Sequence, residues 1–212
     1  EWLKRKLKAM DIGHCEGIAV ASLRMMTQLP FKRRTTPSTF QSNAREIFNL
    51  RRDQTLENYI AYYWITQTFD EVSKPTMQTA SGGPVAIVNR LIKAMNERYD
   101  TYILGIWKLR NGARVEGHSV TPFAVEDLGN RYRLHVYDNN HPGRTRFLFV
   151  NKTGNQDWSY SFGPNQNNPA EYVGNLKSRT MEITGTSWRD GKCFDAPFAK
   201  DTVRSTGCGA ES

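Results

Sequence analysis

The stretch that most restricts the fold of this chain is Gly117 to Asn140. Two apolar-alternating runs, 118–126 and 130–138, flank Asp127-Leu128-Gly129. A three-residue loop with glycine last is a recurrent hairpin connection, its glycine in the left-handed conformation. With that loop, Glu126 pairs with Asn130, Val120 with Val136, and His118 lies opposite Asp138. Side chains alternate across a strand, so His118, Val120 and Ala124 share a face with Leu134, Val136 and Asp138. Directly opposite residues bring their Cβ atoms about 5 Å apart. The pattern thus predicts an imidazole beside a carboxylate at the open end of a hairpin, on its core-facing side. Asn139 points to the other face, and a one-residue slip would exchange Asp138 and Asn139 as partner of the imidazole.

Around this hairpin the second half of the chain reads as strands: 102–107, 147–150, 158–162 and 181–184, with a polar loop over 110–117 and a loop-like tail from Gly185. The first half reads as helices. Trp2, Leu3, Leu7 and Met10 have roughly helical spacing. Ile18, Ala19, Ser22, Leu23 and Met26 are spaced by three and four, which predicts a helix starting near Cys15. Residues 27–44 and 74–83 read as loops. Between them Thr55 suits a helix N-cap ahead of the aromatic stripe Leu56, Tyr59, Ile60, Tyr63 and Trp64. Pro84 opens a helix whose apolar face is Val85, Val88, Leu91, Ile92 and Met95. Helices first and strands second predict an α+β domain spanning 1–212, with a mainly helical lobe over 1–98 and a mainly β lobe over 99–212. At 212 residues the chain is long enough to bury one sizeable core.

Three cysteines are present. Cys193 and Cys208 lie close together in a Gly-rich tail and Cys15 stands alone. The odd count fits one disulfide plus one reactive thiol and an oxidising compartment, or three reduced thiols. Cys15 at a helix start sits where the macrodipole favours negative charge; taken alone, it reads better as a small core residue on an apolar helix. A separated thiol, imidazole and acid together point to a cysteine nucleophile, a histidine base and an orienting aspartate: Cys15, His118 and Asp138. His14 is adjacent to Cys15 and neighbours in a helix do not face each other, so it reads as structural or as a cleft rim. His135 shares a face with Arg133 and Tyr137 and reads as solvent-facing. His141 falls in a turn with Pro142-Gly143. With no CxxC or HxxxH spacing, neither a metal nor a cofactor is expected.

Net charge is +8, with the basic residues in scattered runs. A solvated basic surface accounts for this, and an anionic surface partner is the alternative. No nucleic-acid motif accompanies the charge. No apolar run reaches the roughly 20 residues a membrane helix needs. The chain begins at Glu1 with no apolar signal segment and reads as a mature or trimmed form.

With these residues placed, the chain resembles the papain-like cysteine peptidases, and among them the bacterial C39-like branch. The resemblance rests on Gly13-His14-Cys15-Glu16-Gly17-Ile18-Ala19, on Gly82-Gly83-Pro84 before a helix, on Gly117-His118-Ser119-Val120-Thr121-Pro122, and on Val136 to Gly143. It covers about residues 13–158 in outline. It implies a two-lobed papain-like fold, the nucleophile helix packed on an antiparallel sheet, and peptide hydrolysis through a thioester on a protein or peptide substrate. Gly82-Gly83-Pro84 reads either as a plain helix entry or, in such a peptidase, as a border of the substrate groove, where bare backbone can pair with an extended peptide. The resemblance fits a thiol protease that is secreted or extracytoplasmic. A transglutaminase-like acyltransferase or amidase uses the same triad, and an inactive papain-like binding module would keep the fold. One departure stands out: such peptidases carry a Gln several residues before the nucleophile, and no Gln or Asn occurs between Glu1 and Cys15. Loss of one oxyanion donor costs roughly 100- to 1,000-fold in rate.

Overall fold

A computed structural model describes residues 8, 10, 13–27 and 35–189. The predicted helical spacing of 1–12 therefore falls largely outside the described residues, as do Cys193, Cys208 and the expected disulfide. The helices are α1 (Cys15–Met26), α2 (Pro37–Phe40), α3 (Gln54–Thr66), α4 (Asp70–Ser81) and α5 (Gly83–Glu97), with a 3-10 turn at Ile47–Asn49. Seven strands follow: β1 (Tyr102–Arg110), β2 (Ala113–Asp127), β3 (Arg131–Tyr137), β4 (Thr145–Asn151), β5 (Trp158–Tyr160), β6 (Tyr172–Gly174) and β7 (Met181–Gly185), then a 3-10 turn at Thr186–Arg189. They form one antiparallel sheet in the order β6-β5-β4-β3-β2-β1-β7. The protein is α+β.

Local chemistry explains most of these elements, including those the pattern reading misplaced. The N-cap of α3 is Asp53, not Thr55: its carboxylate accepts from Leu56 N at 2.9 Å, and a carboxylate also suits the positive end of the helix. The expected loop over 74–83 is mostly α4, which carries Pro75 in its sixth position and begins with Asp70 and Glu71. The expected polar loop over 110–117 is instead a tight hairpin. Asn111 and Gly112 both have positive φ (52° and 77°), the pair that a two-residue turn prefers, so β1 and β2 run almost to each other. Strand β6 had no sequence counterpart, and the 158–162 strand stops at Tyr160.

The hairpin register differs from the simple count. Asp127 pairs with Tyr132 and Glu126 with Arg133, three residues from the expected pairing. An odd shift by itself would turn His118 and Asp138 to opposite faces. A bulge at Phe123 compensates: beyond it Pro122 pairs with Val136 and Thr121 with Tyr137. An extra residue in one strand re-aims everything past it. The net displacement is two residues, so His118 and Val120 keep the core-facing side with Leu134 and Val136, whereas Ala124 moves to the outer face opposite His135 and Val125 replaces it inside.

Two apolar cores result. The larger packs α5, through Ile87, Val88, Leu91 and Ala94, on the inner face of the sheet. The smaller joins α1 and α3 to Ile103 of β1 through Ala19, Val20, Leu23 and Tyr63. At Gly17 a side chain's Cβ would stand 2.3 Å from the Ile60 carbonyl oxygen, so glycine there lets α1 lie against α3. The start of α1 is thereby fixed between helices and sheet.

Candidate active site

Cys15 is the first residue of α1. His14 is its N-cap but supplies no side-chain cap, and the first intrahelical bond runs from Ile18 N to the His14 carbonyl. The N–H groups of Cys15, Glu16 and Gly17 therefore have no acceptor within the helix. The Cys15 thiol is free and half-buried.

His118 lies in β2 at the point where that strand changes partners. Residues up to Val120 pair with β1, and residues from Thr121 pair with β3. Asp138 follows the last residue of β3 and starts a turn, with its Oδ1 accepting from Asn140 N at 2.9 Å and its carbonyl from His141 N. That leaves Oδ2 for the sheet face, where it lies 3.0 Å from His118 Nε2. The two residues are diagonal rather than directly opposite, a distance within reach of long side chains. Both are buried, His118 at 5% exposure and Asp138 at 0%. A second donor reaches the same oxygen, the hydroxyl of Tyr160 in β5. The imidazole is enclosed by Phe162 edge-on at 5.0 Å, Tyr160 at 6.3 Å and Tyr172 at 6.1 Å between ring centroids.

With Nε2 committed to Asp138, Nδ1 is the nitrogen left for the thiol. Burial is the largest single influence on the imidazole and opposes its protonated form. Hydrogen bonding to Asp138 and to Cys15, with the charge of both, outweighs burial and holds the His118 pKa up to about 9. Asp138 is also pulled by burial toward neutrality, yet His118, Tyr160 and the Asn140 amide together keep its pKa below the usual carboxylate range. The imidazole expected from the sequence is therefore bonded to the expected carboxylate and interacts with the expected thiol.

Asn139, the alternate partner, does not meet His118. Its Nδ2 donates to the Cys15 carbonyl at 3.3 Å. It is the side-chain amide that touches the nucleophile's own residue. His135 stands on the outer face, against Glu126 and the rings of Phe123 and Phe147. His141 donates Nε2–H to the Phe162 carbonyl at 2.6 Å and so ties the turn after Asp138 to the ring above His118. Gly82-Gly83-Pro84 is the start of α5. Gly83 has φ +84° and is backed by Leu176 and Gln156.

Pattern reading missed several residues that hold the site. Glu16, next to the nucleophile, is 6% exposed and paired with Arg189, which is 3% exposed and also donates to Thr66 Oγ1 at 2.9 Å. Only the fold brings residues 173 positions apart together, so no local signal marks them. Tyr160 had one weak cue: it alternates with Trp158 on the inner face of a strand.

Among the described residues no group of His, Cys, Asp and Glu is arranged to hold a metal ion, and no helix is long and apolar enough to cross a membrane. Comparisons with protein-family models, with curated proteins and with solved structures find no match for this chain.

Proposed function

We propose that the protein is a papain-like cysteine peptidase, hydrolysing peptide bonds through a thioester on Cys15. One observation carries this reading: a buried imidazole bonded through Nε2 to a buried carboxylate, with a free thiol at a helix start interacting with the same ring. In this mechanism the thiol passes its proton to His118, and the sulfur adds to the substrate carbonyl carbon. The oxyanion that forms receives the Cys15 backbone N–H at the positive end of α1. Collapse of the tetrahedral adduct breaks the C–N bond, and the His118 imidazolium protonates the departing amine. The neutral imidazole then takes a proton from water, whose oxygen adds to the thioester. Collapse of that adduct breaks the C–S bond, the acid departs, and the thiolate takes back a proton from the His118 imidazolium. Asp138 orients the ring and stabilises its charged form. The substrate is a protein or peptide, and no cofactor enters the cycle.

The test is mass-spectrometric mapping of cleavage in a peptide library, wild type against Cys15→Ala, with iodoacetamide labelling of Cys15 at neutral pH in wild type and His118→Ala. Cleavage that vanishes in Cys15→Ala, with labelling that slows in His118→Ala, supports the proposal. Incorporation of a labelled amine into a glutamine-containing protein without cleavage would reassign it as an acyltransferase. Slow labelling that ignores His118 would mark an inert thiol and sink the proposal.

A further inference from the structure

Asp138 is fully buried, and a buried carboxylate is stable only while enough donors face it. In the proposed cycle its one cationic neighbour on the ring side, His118, loses its charge in every turnover, when the imidazolium gives its proton to the departing amine. Something else must keep Asp138 ionised through that half of the cycle. The titratable and charged groups around it are His118 from β2, Tyr160 from β5, Tyr172 from β6, Tyr137 from β3, Cys15 from α1 beyond the imidazole, and Arg146 from β4 behind Tyr160. Tyr172 and Tyr137 feel the Asp138 charge without donating to it; the Tyr172 hydroxyl is spent on Glu116 at 3.0 Å. Tyr160 alone donates a side-chain hydrogen bond that does not depend on the state of His118.

We infer that Tyr160, backed by Arg146, is a positioning residue of this site: its hydroxyl keeps Asp138 a carboxylate, with Oδ2 aimed at His118 Nε2, while the imidazole is neutral. Tyr160 is 1% exposed and its hydroxyl donates to the same Oδ2 that His118 meets. Burial and the Asp138 charge push its pKa far above the ordinary tyrosine value, so the phenol stays a donor at every working pH. Arg146, at 1% exposure, stands behind it with its guanidinium carbon 6.0 Å from the Tyr160 ring centre. Its hydrogen bonds go to the carbonyls of Ser161, Gly163 (2.6 Å) and Pro164 (3.5 Å). A cation so anchored on backbone cannot swing toward Asp138 and compete with the tyrosine. It places fixed positive charge behind the phenol, which partly offsets the rise in the phenol pKa. The alternation of β5 puts Trp158 and Tyr160 on the inner face, and β4 delivers Arg146 to the strand alongside.

The role in turnover rests on the hydrolase reading, but the device can be tested without it. The Asp138 carboxyl carbon is followed by NMR against pH in the full chain, its signal assigned with Asp138→Asn. The variants are Tyr160→Phe, which removes only the hydroxyl, and Tyr160 replaced by 3-fluorotyrosine, which donates more strongly. The wild-type carboxyl stays ionised on both sides of the His118 titration. Tyr160→Phe moves the carboxyl titration to roughly tenfold lower proton concentration, and fluorotyrosine moves it the opposite way. A merely structural tyrosine would alter stability without shifting the titration in these opposed directions. Superimposable Asp138 titrations in wild type and the fluorotyrosine protein, or a wild-type carboxyl that becomes protonated as His118 loses its proton, would overturn the inference. Absence of peptide cleavage would remove the proposed function and leave this titration standing as its own result.

Discussion

The imidazole of His118 ties the stability of the fold to pH. Its folded-state pKa of about 9 lies above the value of about 6.5 expected in an unfolded chain. The sign follows: the stabilisation is complete below pH 6.5 and is lost as pH rises through 9. Asp138 works the other way. Its folded-state pKa is depressed, so its contribution is present above the ordinary carboxylate range and is lost as pH falls through the depressed value. Unfolding free energies from urea titrations of wild type and His118→Gln should differ most below pH 6.5, by on the order of 3 kcal/mol, and converge by pH 10. A difference that grows with pH would mean that the ring is held neutral in the fold.

Strand β2 does more to assemble the site than any other element, because it carries His118, the change of pairing partner and the Phe123 bulge. The bulge decides which face His118 shares with Asp138. Deleting Phe123 would remove the extra residue and leave Pro122 next to Ala124, still opposite Val136 and His135, so His118, Val120 and Pro122 keep their faces. Inserting one residue beside Phe123 instead adds an odd offset, and Val120, fully buried now, would turn outward with His118. The loss of several buried apolar side chains costs more than about 3 kcal/mol. Thermal melts of the insertion variant should show a large drop in midpoint, and the His118–Asp138 contact should be gone from its NMR spectrum. An insertion variant that melts like wild type would show that the bulge widens to absorb the change. The Phe123 deletion is the control and should retain the contact.

Across the whole molecule a buried ion pair among the described residues, Glu16 with Arg189, adds to the packing that ties the start of the helical half to the end of the strand-rich half. Removing one partner strands the other charge, at a typical cost of 3–5 kcal/mol. Arg189→Met should therefore be destabilised by roughly that amount in chemical denaturation, and the Glu16→Leu, Arg189→Met double variant by clearly less. If the two variants were equally unstable, packing and not charge would be what Arg189 supplies. The pair sits one residue from Cys15, so the setting of the nucleophile helix depends on a residue near the far end of the described chain.

Short-range pattern carried the identity of the α and β halves, the start of α1 at Cys15, the Pro84 helix, and the juxtaposition of His118 and Asp138, because periodicity and turn chemistry are local. The last of these was right by an even displacement: the pairing next to the loop is three residues from the simple count and one bulge restores parity. A bulge answers to the twist and packing of the sheet, and alternation within a strand carries no trace of it. The same holds for Asn139 on the Cys15 carbonyl, for Tyr160 and Arg146 behind Asp138, and for Arg189 on Glu16. Each of these contacts joins residues from separate elements, and burial gives them their strength. A linear string states neither distance nor burial, so those partners exist only once the sheet has closed over α1.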